Sequence, residues 1–134
     1  MVLAKRYKSS SGCIYNIGYH LIFCTKYRKD VLKDGVLTRI KELILEKANE
    51  LDIEIPEMEV MSDHVHLFVK SKPTYPVHFV VNQIKGYTSR ILRKEFPKVR
   101  SKIPCLWSRS YYCETVGHIS EDTVRRYIEN QYNV

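Results

Sequence analysis

The sequence predicts an α+β domain in which a four-stranded antiparallel sheet of the ferredoxin-like, RRM-like type carries helices on one face. The hydrophobic periodicity gives the order strand, helix, strand, strand, helix, strand. An amphipathic segment at the C-terminus predicts one further helix. The chain has 134 residues with no internal repeat or linker, so we expect a single domain over residues 1–134.

Changes of periodicity predict the elements of the first half. Branched and aromatic residues alternate from Tyr15 to Tyr27, as in a strand. From Gly35 to about Leu51 the apolar residues recur at helical spacing. Residues 54–61 and 63–71 alternate again across a very short turn, which predicts a hairpin.

The second half predicts a helix, a strand and a last helix. Pro76 can occupy the first turn of a helix that ends near Phe96 and Pro97. Residues 106–116 are rich in aromatic side chains and predict the fourth strand. A capping serine and two acidic residues then begin a helix over about 120–132, which carries Tyr127.

The composition favours a polyanionic partner. Twenty-two Lys and Arg against fifteen Asp and Glu give a net charge of +7 and a pI near 9.2. Nucleic acid is the natural candidate, although charge alone does not establish it.

We expect no membrane-spanning segment in this sequence. No apolar run approaches the roughly 18 residues that a membrane span requires. The N-terminus places its apolar residues before its charges, the wrong order for a secretory signal, so we expect a cytoplasmic protein. The cysteines form no C-x-x-C pair, and we interpret them as reduced, buried thiols: Cys13, Cys24, Cys105 and Cys113.

A pair of histidines on the third predicted strand is the main chemical motif. His64 and His66 are at i and i+2, so both imidazoles project from one sheet face about 7 Å apart. Val65 and Leu67 alternate with them and can pack in the core. Because two histidines bind a hard divalent ion poorly, we expect a third ligand with an oxygen donor.

The C-terminal helix can supply that ligand together with a nucleophile. Tyr127 and Gln131 are at i and i+4 and therefore neighbours on one helical surface. A nearby cation would favour the Tyr127 phenolate and polarise a scissile phosphate. The predicted chemistry is phosphoryl transfer, with no general base identified.

Simpler interpretations of the same residues stay open at this point. Paired strand histidines are more often surface or hydrogen-bonded residues than metal ligands. Tyr127 alone would be a tyrosine at the edge of the core with a polar tip. We expect the remaining histidines to be structural: His20, His78 and His118.

Several segments together resemble the single-tyrosine HUH transposases, the TnpA type of bacterial and archaeal insertion sequences. They lie in matching order and spacing over residues 19–28, 61–67 and 124–131, and Lys85-Gly86-Tyr87 and Leu106-Trp107-Ser108 are also similar. Ser62 replaces a proline that the family often has before the aspartate, which affects a turn and leaves the predicted ligands intact.

The resemblance implies a function as a DNA transposase of an insertion sequence. His64, His66 and Gln131 would hold Mg²⁺ or Mn²⁺, and Tyr127 would form a 5′-phosphotyrosine with single-stranded DNA at hairpin-bearing element ends. Members of the family act as homodimers, with active sites that can be completed in trans. We expect the basic face of the second helix to contact DNA: Lys85, Arg90, Arg93 and Lys94.

Three alternative functions compete with this one. A domesticated REP-associated tyrosine transposase would process chromosomal palindromes by the same chemistry. A non-catalytic nucleic-acid-binding regulator would use the same kind of sheet. A zinc hydrolase would need another ligand near the histidine pair and would not need Tyr127.

Overall fold

The computed structural model describes residues 8–10, 12–116, 126, 128 and 129. The main sheet has four antiparallel strands in the order β4-β5-β3-β6. It is preceded by a small two-stranded hairpin. The strands are β1 (Lys8–Ser10), β2 (Cys13–Tyr15), β3 (Ile17–Cys24), β4 (Glu54–Val60), β5 (His64–Ser71) and β6 (Tyr112–Val116). The helices are α1 (Gly35–Leu51), α2 (Val77–Glu95) and α3 (Pro97–Lys102), with a 3-10 helix at Lys26–Arg28.

This order of elements and strands confirms the predicted ferredoxin-like α+β fold. α1 has the predicted bounds, and β4 and β5 form the predicted hairpin. α2 begins directly after Pro76 and ends one residue before Phe96, as expected.

Other boundaries differ from the prediction. The run from Tyr15 to Tyr27 is a strand only over Ile17–Cys24, because its first residue belongs to β2 and its end turns into the 3-10 helix. The fourth strand spans only Tyr112–Val116. In the segment before it, Trp107 makes an isolated bridge to Thr25. The β1–β2 hairpin and α3 were not predicted.

The core lies between the sheet and the helices. α1 and α2 contact each other, and their apolar stripes pack with one face of β3 and β5 in a single buried cluster. The cluster includes Leu21, Ile40, Leu67 and Ile84, each fully buried. The opposite face of the sheet, here called the outer face, is not covered by either helix.

The cysteines are free thiols. The prediction that they are buried is wrong, since three are partly exposed and Cys105 is exposed. Cys24 alternates out of the core along β3, which explains its exposure. Cys113 lies opposite the buried Leu21 at the edge of the core, where partial burial raises the pKa of its thiol.

The predicted C-terminal helix lies largely outside the described residues. Arg126, Ile128 and Glu129 have helical backbone. Tyr127, Gln131 and the predicted helix start are outside the described part, as is His118.

A buried hydrogen bond connects α2 to the segment before β6. The indole Nε1 of Trp107 donates to Thr88 Oγ1 at 2.9 Å, and Thr88 Oγ1 donates to the carbonyl of Ile84 at 2.8 Å. The Trp107 ring also meets the edge of Phe23, with ring centroids 4.7 Å apart. These contacts hold the irregular segment against the core.

Replacing Thr88 by Val should therefore destabilise the protein. The Trp107 indole would lose its acceptor in a buried position, which costs about 1–3 kcal/mol of unfolding free energy. Urea unfolding followed by tryptophan fluorescence measures the change. Thr38→Val on the exposed side of α1 is the matched control, and equal effects of the two variants would contradict a role for the buried hydrogen bond.

Candidate metal centre and active site

The two predicted ligand histidines lie side by side on the outer face of β5. The strand alternates strictly between partly exposed and buried residues from His64 to Ser71. Val65, Leu67 and Val69 are fully buried against the helices. His64 and His66 consequently point away from the core, as predicted.

Neighbouring strands surround the pair with outward-facing side chains. Across the β3–β5 pairing, Cys24 is opposite His64 and Ile22 is opposite His66. On the other side of β5, Glu59 is opposite His66. A groove of about 410 Å³ runs beside His66 and is lined in part by Glu59 and Phe68.

His64 is oriented by a carboxylate. Its Nδ1 lies 2.8 Å from Asp63 Oδ1, and Arg28 Nη2 donates to Asp63 Oδ2 at 3.0 Å. The hydrogen bond with His64 and the nearby Arg28 charge lower the pKa of Asp63, so the carboxylate is ionised. An ionised Asp63 can accept a hydrogen bond from Nδ1–H, and in that tautomer the Nε2 lone pair of His64 is free to bind a metal ion.

His66 has a different environment. Its Nε2 lies 3.2 Å from Nδ1 of His20, and the two ring centroids are 5.2 Å apart. Its Nδ1 lies 3.8 Å from Glu59 Oε2. We predicted a structural role for His20, although its alternation with Ile22 and Cys24 along β3 indicated that its side chain lies on the outer face.

These donors fit a divalent metal ion in part. His64 and His66 offer imidazole nitrogens from one strand face, which suit Mn²⁺ better than Mg²⁺. Among residues 8–10, 12–116, 126, 128 and 129, no group of three His, Cys, Asp or Glu residues could hold a metal ion. The predicted third ligand, Gln131, lies outside these residues.

The predicted nucleophile, Tyr127, lies outside the described residues as well. Its neighbours Arg126 and Ile128 are exposed. The described part of the outer face carries another tyrosine, Tyr112, whose side chain is 55% exposed. Tyr112 is opposite Ile22, which is opposite His66, so the three form one cross-strand row.

The four basic residues predicted to contact DNA have unequal surroundings. Lys85 Nζ donates to the carbonyl of Ser108 at 2.7 Å, and burial lowers the pKa of Lys85. Arg93 Nη1 donates to the carbonyl of Ile103 at 2.8 Å. Arg90 and Lys94 are exposed. Two of the four therefore stabilise the segment between α2 and β6, and two are available on the surface.

The remaining described histidine, His78, lies on α2 away from the pair. Its Nδ1 is 3.2 Å from the Tyr111 hydroxyl, and its Nε2 is 3.0 Å from Asn82 Nδ2.

Within the described residues, no helix is both long enough and apolar enough to cross a membrane.

Known proteins are similar to this chain in both sequence and fold. Residues 13–131 match the family model described as "Transposase IS200 like". The chain is 33% identical over 135 residues to the ISDra2 transposase TnpA of Deinococcus radiodurans, covering 99% of this chain and 96% of that protein. It is 26% identical over 126 residues to the transposase for insertion sequence element IS200 of Salmonella typhimurium, covering 92% and 82%.

Solved structures agree with the sequence comparison. A crystal structure assigned as a transposase of Deinococcus radiodurans is similar with a TM-score of 0.76 and 35% identity, over 92% of this chain and 97% of that one. A REP-associated tyrosine transposase bound to a REP hairpin is similar with a TM-score of 0.57 and 13% identity, over 99% and 74%. The latter similarity concerns the fold alone.

The fold and the sequence comparisons define a DNA-processing enzyme, a transposase. The chain belongs to the IS200-like transposase family, and the relatives described above are transposases of insertion sequences.

Proposed function

We propose that this insertion-sequence transposase cleaves and rejoins single-stranded DNA by metal-dependent transesterification. The observation that carries the proposal is the histidine pair on the outer face of β5, with Nδ1 of His64 in contact with Asp63 Oδ1 at 2.8 Å. The match to the IS200-like family over residues 13–131 supports it, because that match includes both the pair and Tyr127.

The proposed ligands are His64, His66 and Gln131, with Mg²⁺ or Mn²⁺ as the metal ion. A bound cation would polarise the scissile phosphate and stabilise the charge that develops on its oxygens.

In the proposed reaction Tyr127 is the nucleophile. Its phenolate oxygen forms a bond to the phosphorus, and the bond from that phosphorus to the 3′ oxygen breaks. The Tyr127 proton is lost to solvent or to a base, and the leaving 3′ oxygen takes up a proton from solvent or from an acid. The products are a 5′-phosphotyrosine and a free 3′-hydroxyl. Attack by a 3′-hydroxyl on the linkage reverses the step, so rejoining needs no external energy source.

We infer that the DNA ends carry hairpins. The solved neighbour that binds a hairpin has this fold, and the net charge of +7 favours a polyanion. We also propose that the protein acts in the cytoplasm, because its DNA substrate is located there. An insertion-sequence role is favoured over processing of chromosomal palindromes, because the insertion-sequence relatives are 33% and 26% identical and the REP-associated neighbour only 13%.

Covalent attachment tests the mechanism directly. With single-stranded hairpin DNA and Mn²⁺, the wild-type protein should form an adduct on the 5′ end of the downstream fragment, and EDTA should abolish it. Tyr127→Phe should form none, because it lacks the nucleophilic oxygen. Denaturing gels of 5′-labelled and 3′-labelled DNA measure both products.

Tyr112→Phe is the matched control, since Tyr112 is an exposed tyrosine on the outer face. It should retain the adduct. Cleavage by Tyr127→Phe without an adduct would favour a hydrolase, and binding of element ends without cleavage would favour a regulator; either result would overturn the proposal.

The unequal surroundings of the basic residues predict separable effects. An Arg90→Ala/Lys94→Ala protein should bind single-stranded DNA more weakly, with the slope of log K against log salt reduced by about 0.7 for each lost phosphate contact. Lys85→Ala and Arg93→Ala should instead lower the free energy of unfolding, because each removes a donor from a backbone carbonyl. Lys41→Ala on exposed α1 is the control, and an unchanged slope in the double variant would remove Arg90 and Lys94 from the binding surface.

We further propose a homodimer in which the helix carrying Tyr127 completes the histidine pair of the other subunit. Mixing Tyr127→Phe protein with His64→Ala/His66→Ala protein, under conditions in which subunits exchange, should then restore cleavage. No cleavage by mixed dimers, with exchange demonstrated by differently tagged subunits, would contradict sites completed in trans.

A further inference from the structure

An unusual turn lies next to the histidine pair. Tyr27 and Arg28 follow each other with φ values of 58° and 53°, in the left-handed region that residues other than glycine rarely adopt. Two such residues in succession keep this conformation only where the surrounding structure stabilises it. Residues with this kind of backbone strain are found most often at functional sites. The turn spans Thr25 to Lys29 and is called here the 25–29 turn.

The surroundings of Thr25 hold this turn in place. Thr25 is fully buried, and its Oγ1 lies 2.8 Å from the carbonyl of Lys29 and 3.2 Å from that of Asp63. Its backbone N–H donates to the same Asp63 carbonyl at 3.0 Å. The 25–29 turn is therefore fastened to the residue that precedes His64.

The conformation of the turn brings Arg28 over Asp63. Arg28 Nη2 donates to Oδ2, while Oδ1 faces Nδ1 of His64 at 2.8 Å. Each oxygen of the carboxylate thus has its own partner. Arg28 orients the carboxylate group through Oδ2, and the carboxylate in turn orients the His64 ring through Oδ1.

We propose that Asp63 and Arg28 are positioning residues that hold His64 as its Nδ1–H tautomer, with Nε2 ready for the metal ion. This inference rests on the proposed metal-dependent function. It assigns the left-handed 25–29 turn a role, which is to present Arg28 to Asp63.

The tautomer of His64 can be measured without metal or DNA. In ¹⁵N-labelled protein, at a pH above the ordinary pKa of histidine, imidazole ¹⁵N shifts should identify His64 as protonated on Nδ1. Asp63→Ala should move it toward protonation on Nε2, because the acceptor is gone. Asp63→Asn should retain Nδ1–H, since the amide oxygen can accept the same hydrogen bond. A His64 tautomer that is the same in wild type and Asp63→Ala would overturn the proposal.

Metal affinity tests Arg28 by the direction of the change. Removing a positive charge near a cation site should strengthen Mn²⁺ binding if charge alone mattered. Positioning predicts the opposite, so Arg28→Ala should weaken binding and Arg28→Lys should recover part of the loss. Asp63→Ala should cost about 10- to 100-fold in affinity. Calorimetric titration with Mn²⁺ measures all three.

Lys29→Ala is the matched control, because Lys29 is an exposed cation of the same turn. It should leave the affinity unchanged or slightly raised. Mn²⁺ binding by Arg28→Ala that is as tight as wild type or tighter would overturn the proposal. Failure of the proposed function gives a distinct result, since His64→Ala/His66→Ala protein would then bind Mn²⁺ as the wild type does.

Discussion

The pairing of β5 between β3 and β4 is the constraint on which both the core and the site depend. Because side chains alternate along a strand, the register that buries Val65, Leu67 and Val69 also sets His64 and His66 on the outer face. A shift of one residue would exchange the two sets. The hydrophobic core and the proposed metal centre are thus two consequences of one register.

That register is reinforced from the ends of the strands. The 25–29 turn is tied to Asp63 through Thr25, and the segment after α3 is tied back to the end of β3, where the N–H of Ser108 donates to the carbonyl of Cys24 at 2.9 Å. Lys85 and Trp107 hold the same segment against α2. Polar side chains that look like surface residues in the sequence therefore stabilise the fold. As a result, the basic face of α2 carries two kinds of cation, those bound to backbone carbonyls and those exposed to solvent.

The sequence was sufficient to predict those elements whose structure follows from a local pattern of residues. The apolar stripe of α1, Pro76 at the start of α2 and the alternation of β5 each depend on nearest neighbours along the chain, and these elements were predicted correctly. The strand predicted over Tyr15 to Tyr27 was too long, because its aromatic residues continue through the 3-10 helix at Lys26–Arg28 without a change of composition. Periodicity does not register a left-handed backbone.

Contacts between distant segments were beyond prediction for the same reason. The approach of His20 to His66 and of Arg28 to Asp63 depends on the β3–β5 pairing, and these contacts join residues 46 and 35 positions apart along the chain. The overall topology was nevertheless predictable, since the order of elements and the short β4–β5 turn leave few ways to build an antiparallel sheet. The histidine pair was predictable because its two members are on one strand.

In the proposed mechanism, cleavage on the outer face forms a covalent bond between DNA and one particular tyrosine of the ten in the chain. Proteolysis of the covalent complex followed by mass spectrometric sequencing of the nucleotide-bearing peptide tests it most directly. Our account predicts the nucleotide on Tyr127, attached through a 5′ phosphate. A nucleotide on Tyr112, which shares the cross-strand row of His66, or on any other residue would contradict it.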